Sequence, residues 1–462
     1  MALSLAPLLK DHEIEHIHAR SLEILERVGI DYKTPRALEV LEKMGCRVDY
    51  NENRAWLSAD LVEWSLQQAP RSVRLPARDP KRAVTLNGRR SHNTTDSQGT
   101  QAIDLETGQR HDSTAEDLRR ALLFADALDK VDIVNTTVSA SDVPAHIRTL
   151  RQFALAFSTT SKPVRSGVLN AQQVPLLVEM VKAVTGRDTF EPIFSVVNCT
   201  ISPLMHDRTM TEACLELAKL NVPIMVYPMP LAGGTSPVTM AGTALLHNIE
   251  FLSGLVLFQA VNPGTPIIYG TGASQLDMQT GRFGGSADGH GLRLALCEIA
   301  QAYHLPVNLW GMSTGSQNLD AHYGAQAINQ TLLAYLAGAD EIYSHGMLGD
   351  AQVLSLEKMV LDNHLLHELE TTIRPMLFDD EHLQAALIES VGIGGSYLTR
   401  RETRDFTRKE YVRMWPPAGK TMLEIARAEA LEILHHHQPP PLPEGAAEKI
   451  EAIIATADKE LI

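Results

Sequence analysis

Seven short apolar runs, many rich in β-branched residues, punctuate the middle of the chain, and each ends in polar or glycine residues before a longer stretch of helical pattern. They are "VDIVNTTVSA" from 131, "KPVRSGV" from 162, "PIFSVVNCT" from 192, "VPIMVYPMP" from 222, "TPIIYGTGAS" from 265, "LPVNLWGMST" from 305 and "ADEIYSHGM" from 339. Between them, stretches such as "AQQVPLLVEMVKAVTG" and "LRLALCEIAQAYH" repeat apolar residues at three and four positions, the spacing of one helix face. Consecutive β-branched positions suit parallel strands buried on both faces. An eighth strand within "SHNTTDSQG", residues 91 to 99, would close an α/β chain into a (β/α)8 TIM barrel over 91–350. The alternative, a doubly wound open sheet, usually carries an early Gly-rich phosphate turn. None follows the first runs, and "GTGAS" at 270 to 274 lacks the GxGxxG spacing.

Residues 1–90 read as a small N-terminal cap of helices with a hairpin at "CRVDYNENRAWLS". From 351 to 462 the pattern is almost wholly helical, broken by "PPPLPEG" at 439 to 445, so a helical C-terminal lobe is expected. With 44% hydrophobic and 21% charged residues among 462, the chain has the composition of a soluble globular protein. Its net charge of -15 disfavours nucleic acid and anionic membrane as partners, since both reward a basic face. The start "MALSLAPLLKDHEIEHIH" has neither a basic leader nor a small-residue cleavage site, which reads as cytoplasmic. The apolar stretch "FLSGLVLFQAV" at 251 to 261 is too short to span a bilayer and reads as core helix. Cys46, Cys199, Cys214 and Cys297 lack C-x-x-C spacing and read as buried free thiols.

A barrel places its active site at the carboxyl ends of its strands. That filter selects Asp96, Gln98, Asn198, Tyr227, Tyr269, Gln275, Asp277, Trp310, Asp320, His322, Tyr323, Tyr343 and His345. Several are aromatic in a chain with only 5% aromatics. Tyr and Trp faces hold cations, quaternary ammonium groups included; the competing reading is that the rings fill the barrel mouth. No metal site is expected: there is no HExxH, and "HHH" at 435 to 437 stands at a helix end before a proline run, where cationic imidazoles suit the helix dipole. No G-x-S-x-G elbow occurs, and Lys162 precedes its strand, so no Schiff-base lysine sits among the strand ends.

The stretch "MPLAGGTSPVTMAGTALLHNIEFLSGLVLFQAVNPGTPIIYGTGASQLDMQTG" at 229 to 281 resembles the trimethylamine methyltransferase family of corrinoid-dependent methyltransferases. The resemblance continues through "LPVNLWGMSTGSQNLDAHYGAQAINQTLLAYLAGADEI" and "LSLEKMVLD", with weaker similarity at "LEILERVGI" and "GIGGSYL". It implies a barrel that presents a methylamine or betaine to the cobalt of a separate corrinoid protein. No cofactor is then tightly bound, and methylcobalamin or a related corrinoid is presented by that partner. In the segment Asp320-Ala321-His322-Tyr323-Gly324 histidine stands where the trimethylamine enzymes carry pyrrolysine. Many members without pyrrolysine have glutamine there and resemble glycine betaine methyltransferases. Glu402-Thr403 likewise stands where a His-Thr pair is common after the "GGSYL" element.

On this resemblance His322 and Asp320 are expected to act in catalysis. Asp96, Asn198, Tyr227, Tyr269, Gln275, Trp310, Tyr323, Tyr343 and His345 are expected to bind a quaternary amine such as glycine betaine, and Gln98 and Asp277 to face the cofactor. A homo-oligomer is expected. The rivals are a barrel lyase or hydrolase on the same scaffold, and a non-catalytic betaine-binding protein.

Overall fold

Eight parallel strands close on themselves in the computed structural model, which describes residues 5–284, 287–410 and 419–461. They are β1 (His92–Thr95), β2 (Val134–Asn135), β3 (Val164–Ser166), β4 (Phe194–Ile201), β5 (Ile224–Tyr227), β6 (Ile267–Gly270), β7 (Val307–Trp310) and β8 (Glu341–His345). Seven of the eight fall within runs read from the pattern, and β4 overruns its run, 192–200, by one residue at Ile201. Neighbours pair in parallel from β2 through to β8, and β8 pairs with β1. Closure between β1 and β2 is made by a parallel bridge from Thr94 to Ile133, with Ile133 N–H donating to Asn93 O at 3.2 Å and Thr95 N–H to Ile133 O at 3.3 Å. The first four residues and the segment "YVRMWPP" at 411–417 lie outside the described residues.

The barrel interior holds a buried ion pair. Arg165 of β3 donates from both terminal nitrogens to the Glu341 carboxylate of β8, each at 2.6 Å. Asn308 of β7 donates to the same carboxylate at 3.0 Å, and Arg165 Nε to Ser195 Oγ at 2.9 Å. These bonds satisfy charges that burial would otherwise penalise heavily.

Around the barrel, Met240–Val261 is a 22-residue helix that the barrel flanks on one side and the helices Asp11–Arg27, Pro35–Lys43 and Ala59–Gln68 cover on the other. The expectation of too short an apolar stretch at 251–261 is thereby corrected: that run is half of a helix long and apolar enough to cross a bilayer, but 83% of its apolar window is buried in protein. A helix apolar on all sides is what double-sided burial selects. The hairpin at 47–56 forms as Arg47–Asp49 against Arg54–Trp56. Strand Ile30–Tyr32 extends it and pairs in parallel with Met205–His206.

Beyond the barrel, Met422–His436 packs on Leu356–Ile373 and Ala115–Ala127, while Ala446–Glu460 packs on Ala145–Thr159 and Gln173–Thr185. The histidine triplet is only partly solvated: His437 bonds the buried Asp126 carboxylate at 2.9 Å, below the amino ends of the strands. Short rim strands, including Leu231–Ala232, Ser274–Leu276 and Met347–Leu348, follow β5, β6 and β8 and build up the opposite, carboxyl end.

Candidate functional site

A cavity of about 650 Å3 opens at the carboxyl ends of the strands. One wall is aromatic. Tyr227 ends β5, Trp310 ends β7 and Tyr343 lies in β8, and all three line the cavity. Trp310 Nε1 donates to Tyr227 Oη at 2.6 Å, and the Tyr227 and Tyr343 rings lie 6.5 Å apart with a 57° tilt. The Arg293 guanidinium stacks on Trp310, with its carbon 4.2 Å from the ring centre. Burial raises the pKa of both Tyr227 and Tyr343, so they stand as neutral phenols.

Beside these rings sits Asp96, 2% exposed. Burial pushes its carboxyl up to about 6, against the Tyr343 hydroxyl, the Ser97 N–H at 2.8 Å, the Lys358 charge and the Ser344 hydroxyl, which favour ionisation. Tyr343 Oη and Ser97 Oγ are 2.7 Å apart, which fixes the phenol next to the carboxylate. A largely ionised carboxylate among ring faces at neutral pH is a site for an organic cation.

The remaining walls are mostly apolar, with Met210, Met225, Met229 and Val197 among them. Cys199 also lines the cavity, its thiol pushed up to about 12 by burial and by Asp207. Opposite the aromatic wall, the helix Ala145–Thr159 that follows β2 turns Ala145, Arg148, Thr149 and Gln152 towards the cavity. These positions are spaced as one helix face. Backbone strain gathers here too. Gln98, Ser344, Asp350 and Ala351 line the cavity with φ of 63°, 103°, 55° and 68°, a left-handed conformation that non-glycine residues adopt at a cost and that concentrates at functional sites.

Of the residues selected from sequence, the cavity gathers Asp96, Gln98, Tyr227, Trp310 and Tyr343. The others are corrected by position. Asn198 lies between Val197 and Cys199, which face the cavity, so strand alternation turns it outwards towards the Cys214 thiol. Tyr269 also points outwards, bonding His247 and Asn248 and packing 4.0 Å from the Phe251 ring. Gln275 sits in a rim strand outside the cavity lining, and Asp277 closes an exposed turn by accepting from Gln279 N–H and Thr280 Oγ. His345 is fully buried behind the site with neither ring nitrogen hydrogen-bonded among the described residues, and burial lowers its pKa to about 4.

The Asp320–Tyr323 segment is the largest departure. Asp320 caps the helix Ala321–Ala337, accepting from Tyr323 N–H and Ser316 Oγ, each at 2.8 Å. His322 is exposed on the first turn of that helix and outside the cavity lining. Tyr323 is buried and donates to Asp362 at 2.7 Å, in a network with Lys358, which donates to Asp362 at 2.6 Å and to Met312 O at 2.8 Å. Lys162 does face the opposite end, bonding Ala125 O and Leu128 O. Arg148, Thr149 and Gln152 were not selected from sequence, and nothing in "AHIRTLRQ" separates Arg148 from Arg151, which pairs with Glu451 on the surface.

The family described as trimethylamine methyltransferase (MTTB) matches residues 2–461. The chain is 30% identical to "Trimethylamine methyltransferase MttB" of Desulfitobacterium hafniense, over 97% of this chain and 94% of that protein. It is 26% identical to "Glycine betaine methyltransferase" of Desulfitobacterium hafniense strain Y51, over 98% of each. Among solved structures, the monomethylamine methyltransferase MtmB of Methanosarcina barkeri superposes with a TM-score of 0.50 at 13% identity, covering 98% of this chain and 93% of that one, a likeness of fold.

Proposed function

The chain belongs to the trimethylamine methyltransferase family, and from that premise we propose that it moves a methyl group from a quaternary amine of the glycine betaine kind to the Co(I) corrinoid of a separate protein. The observation that carries this reading is the aromatic wall of Tyr227, Trp310 and Tyr343 with Asp96 beside it. Each ring face contributes roughly 0.5–2 kcal/mol to holding a cation, more as water is excluded. The relative named as a glycine betaine methyltransferase supports the same substrate class.

The chemistry asks little of acids or bases. As the methyl group leaves nitrogen, the C–N bonding pair stays on nitrogen and the amine departs neutral, so no proton donor is required. The corrinoid, when its carrier docks, supplies the electron pair that forms the new bond to carbon. This chain's part is to bind, orient and desolvate the cation. Its charge is stabilised by Asp96 in the ground state, and the mostly apolar walls exclude water from the methyl group. The lining residues Leu169, Met229 and Phe283 are 51%, 44% and 46% exposed. An apolar mouth of that kind suits docking of a carrier with a large flat cofactor. We take the protein to work in the cytoplasm as a homo-oligomer.

Mixing the protein with reduced cobalamin and a panel of glycine betaine, choline and trimethylamine tests the proposal through the absorbance change on cobalt methylation. Methyl transfer from at least one quaternary amine is expected. Trp310→Ala is expected to slow it more than tenfold, whereas His322→Ala, outside the cavity, retains it within about twofold. Absence of transfer from every quaternary amine overturns the reading.

A further inference from the structure

Among the described residues, Arg148 is the one cationic side chain in the lining of this cavity. Its Nε and Nη2 both donate to Val143 O, at 3.1 and 2.9 Å. That fork fixes the guanidinium from one side and leaves Nη1 without a hydrogen-bond partner among the described residues. No carboxylate of the described residues pairs with it, whereas Arg151, one turn on, pairs with Glu451 at 2.6 Å. A half-buried guanidinium facing a mostly apolar cavity gains most from an anionic partner.

A second group points the same way. Thr149 also lines the cavity, is 7% exposed, and has a hydroxyl without a hydrogen-bond partner among the described residues. Both groups lie in the first two turns of the 15-residue helix Ala145–Thr159, whose amino end carries partial positive charge. The helix follows β2, whose neighbour β1 leads to Asp96, while Tyr227 and Trp310 are carried by β5 and β7 on the far side of the barrel.

We propose that Arg148 and Thr149 form a carboxylate subsite in the same cavity as the aromatic cation site, across the mouth from Tyr227 and Trp310, making the cavity selective for quaternary ammonium carboxylates over quaternary amines that lack an acid. This rests on the quaternary-amine reading above and adds to it a specificity-determining pair. The guanidinium presents a hydrogen-bonded positive charge to one carboxylate oxygen, and the Thr149 hydroxyl donates to the other. A substrate with no net charge thereby satisfies both ends, while choline would leave Arg148 unpaired.

Equilibrium binding measured by calorimetry on the full-length protein, without any corrinoid, separates the two readings. The probes are glycine betaine and γ-butyrobetaine, which differ in the spacer between nitrogen and carboxylate, and choline. The tighter of the two acids is expected to bind at least tenfold more tightly than choline. Arg148→Gln should remove most of that difference while changing choline affinity less than twofold, Arg148→Lys should restore part of it, and Thr149→Val should weaken the acid severalfold. Circular dichroism spectra and melting curves matching the parent exclude misfolding for each variant. If acids and choline bind alike and Arg148→Gln alters neither, the subsite is wrong and the quaternary-amine reading stands. If no quaternary amine binds at all, both fall.

Discussion

Asp96 shows at the scale of one residue how a binding site is stabilised for function and destabilised for folding. Its carboxyl titrates near 6 in the fold against an ordinary 3.8, because burial outweighs the bonds from Tyr343, Ser97 and Ser344. The raised value means that the unfolded chain ionises first as pH rises. The penalty is absent below about 4, grows between about 4 and 6, and is complete above that, at roughly 3 kcal/mol. Asp96→Asn is therefore expected to raise the free energy of unfolding in urea at pH 8 by more than at pH 5. It should also weaken quaternary-amine binding and flatten its loss as pH falls through about 6. Equal gains at the two pH values would show that Asp96 is not the titrating group. Strand-end position alone made Asp96, Tyr227, Trp310 and Tyr343 legible in the sequence. It misplaced Asn198 and Tyr269 because a strand end does not state which face a side chain takes, and a one-residue change of register reverses it. His345 failed for a related reason. The irregular pairing between Ile342 and His345, with Ser344 in a left-handed conformation, puts Tyr343 and Ser344 both on the cavity and His345 behind it. Arg148 lay on a helix, where the strand-end filter never looked.

Among the elements, the βα alternation was readable because parallel strands buried on both faces must be apolar along their length. β1 is the exception that made closure hard to read. Its four residues, His-Asn-Thr-Thr, are all buried, and the hydroxyls of Thr94 and Thr95 are satisfied across the seam. Asn135 N–H donates to Thr95 Oγ at 2.8 Å, and Asn135 Nδ2 to Thr94 Oγ at 3.1 Å. An apolar scan has nothing to detect there. The same logic runs through the interior, where Arg165 of β3 and Glu341 of β8 pair across the barrel. Removing one partner strands the other's charge at zero exposure, which costs about 3–5 kcal/mol, whereas replacing both with apolar residues of similar volume costs far less. Glu341→Gln is accordingly expected to lower the urea midpoint strongly, and Arg165→Met combined with Glu341→Leu to recover much of the loss. A double variant as unstable as the sum of the two single ones would show that the pair does not act as a unit.

Across the whole molecule, the C-terminal stretch bears on the site through the helix that carries Arg148. Ala446–Glu460 packs against Ala145–Thr159 with Ile450 and Ile454 each 2% exposed and Ala457 1%. Two polar contacts edge that interface, Arg151 to Glu451 at 2.6 Å and His146 to Asp458 at 2.8 Å. Their exposure leaves each worth at most about 1 kcal/mol, so the apolar seam dominates. Truncating Ile454 to Ala removes buried methylenes and leaves a cavity, for a loss of roughly 2–4 kcal/mol. If the C-terminal helices and the barrel unfold together, Ile454→Ala shifts one denaturation transition to lower urea and keeps it single. The hydrogen bonds that fix the Arg148 guanidinium run to Val143 O, within its own connection. Affinity for the better-binding acid, measured well below the transition, is therefore expected to stay within about twofold of the parent. Two separate transitions would make the C-terminal stretch an independent unit. A tenfold loss of affinity with one transition retained would instead mean that this packing, and not the Val143 carbonyl, sets the position of Arg148.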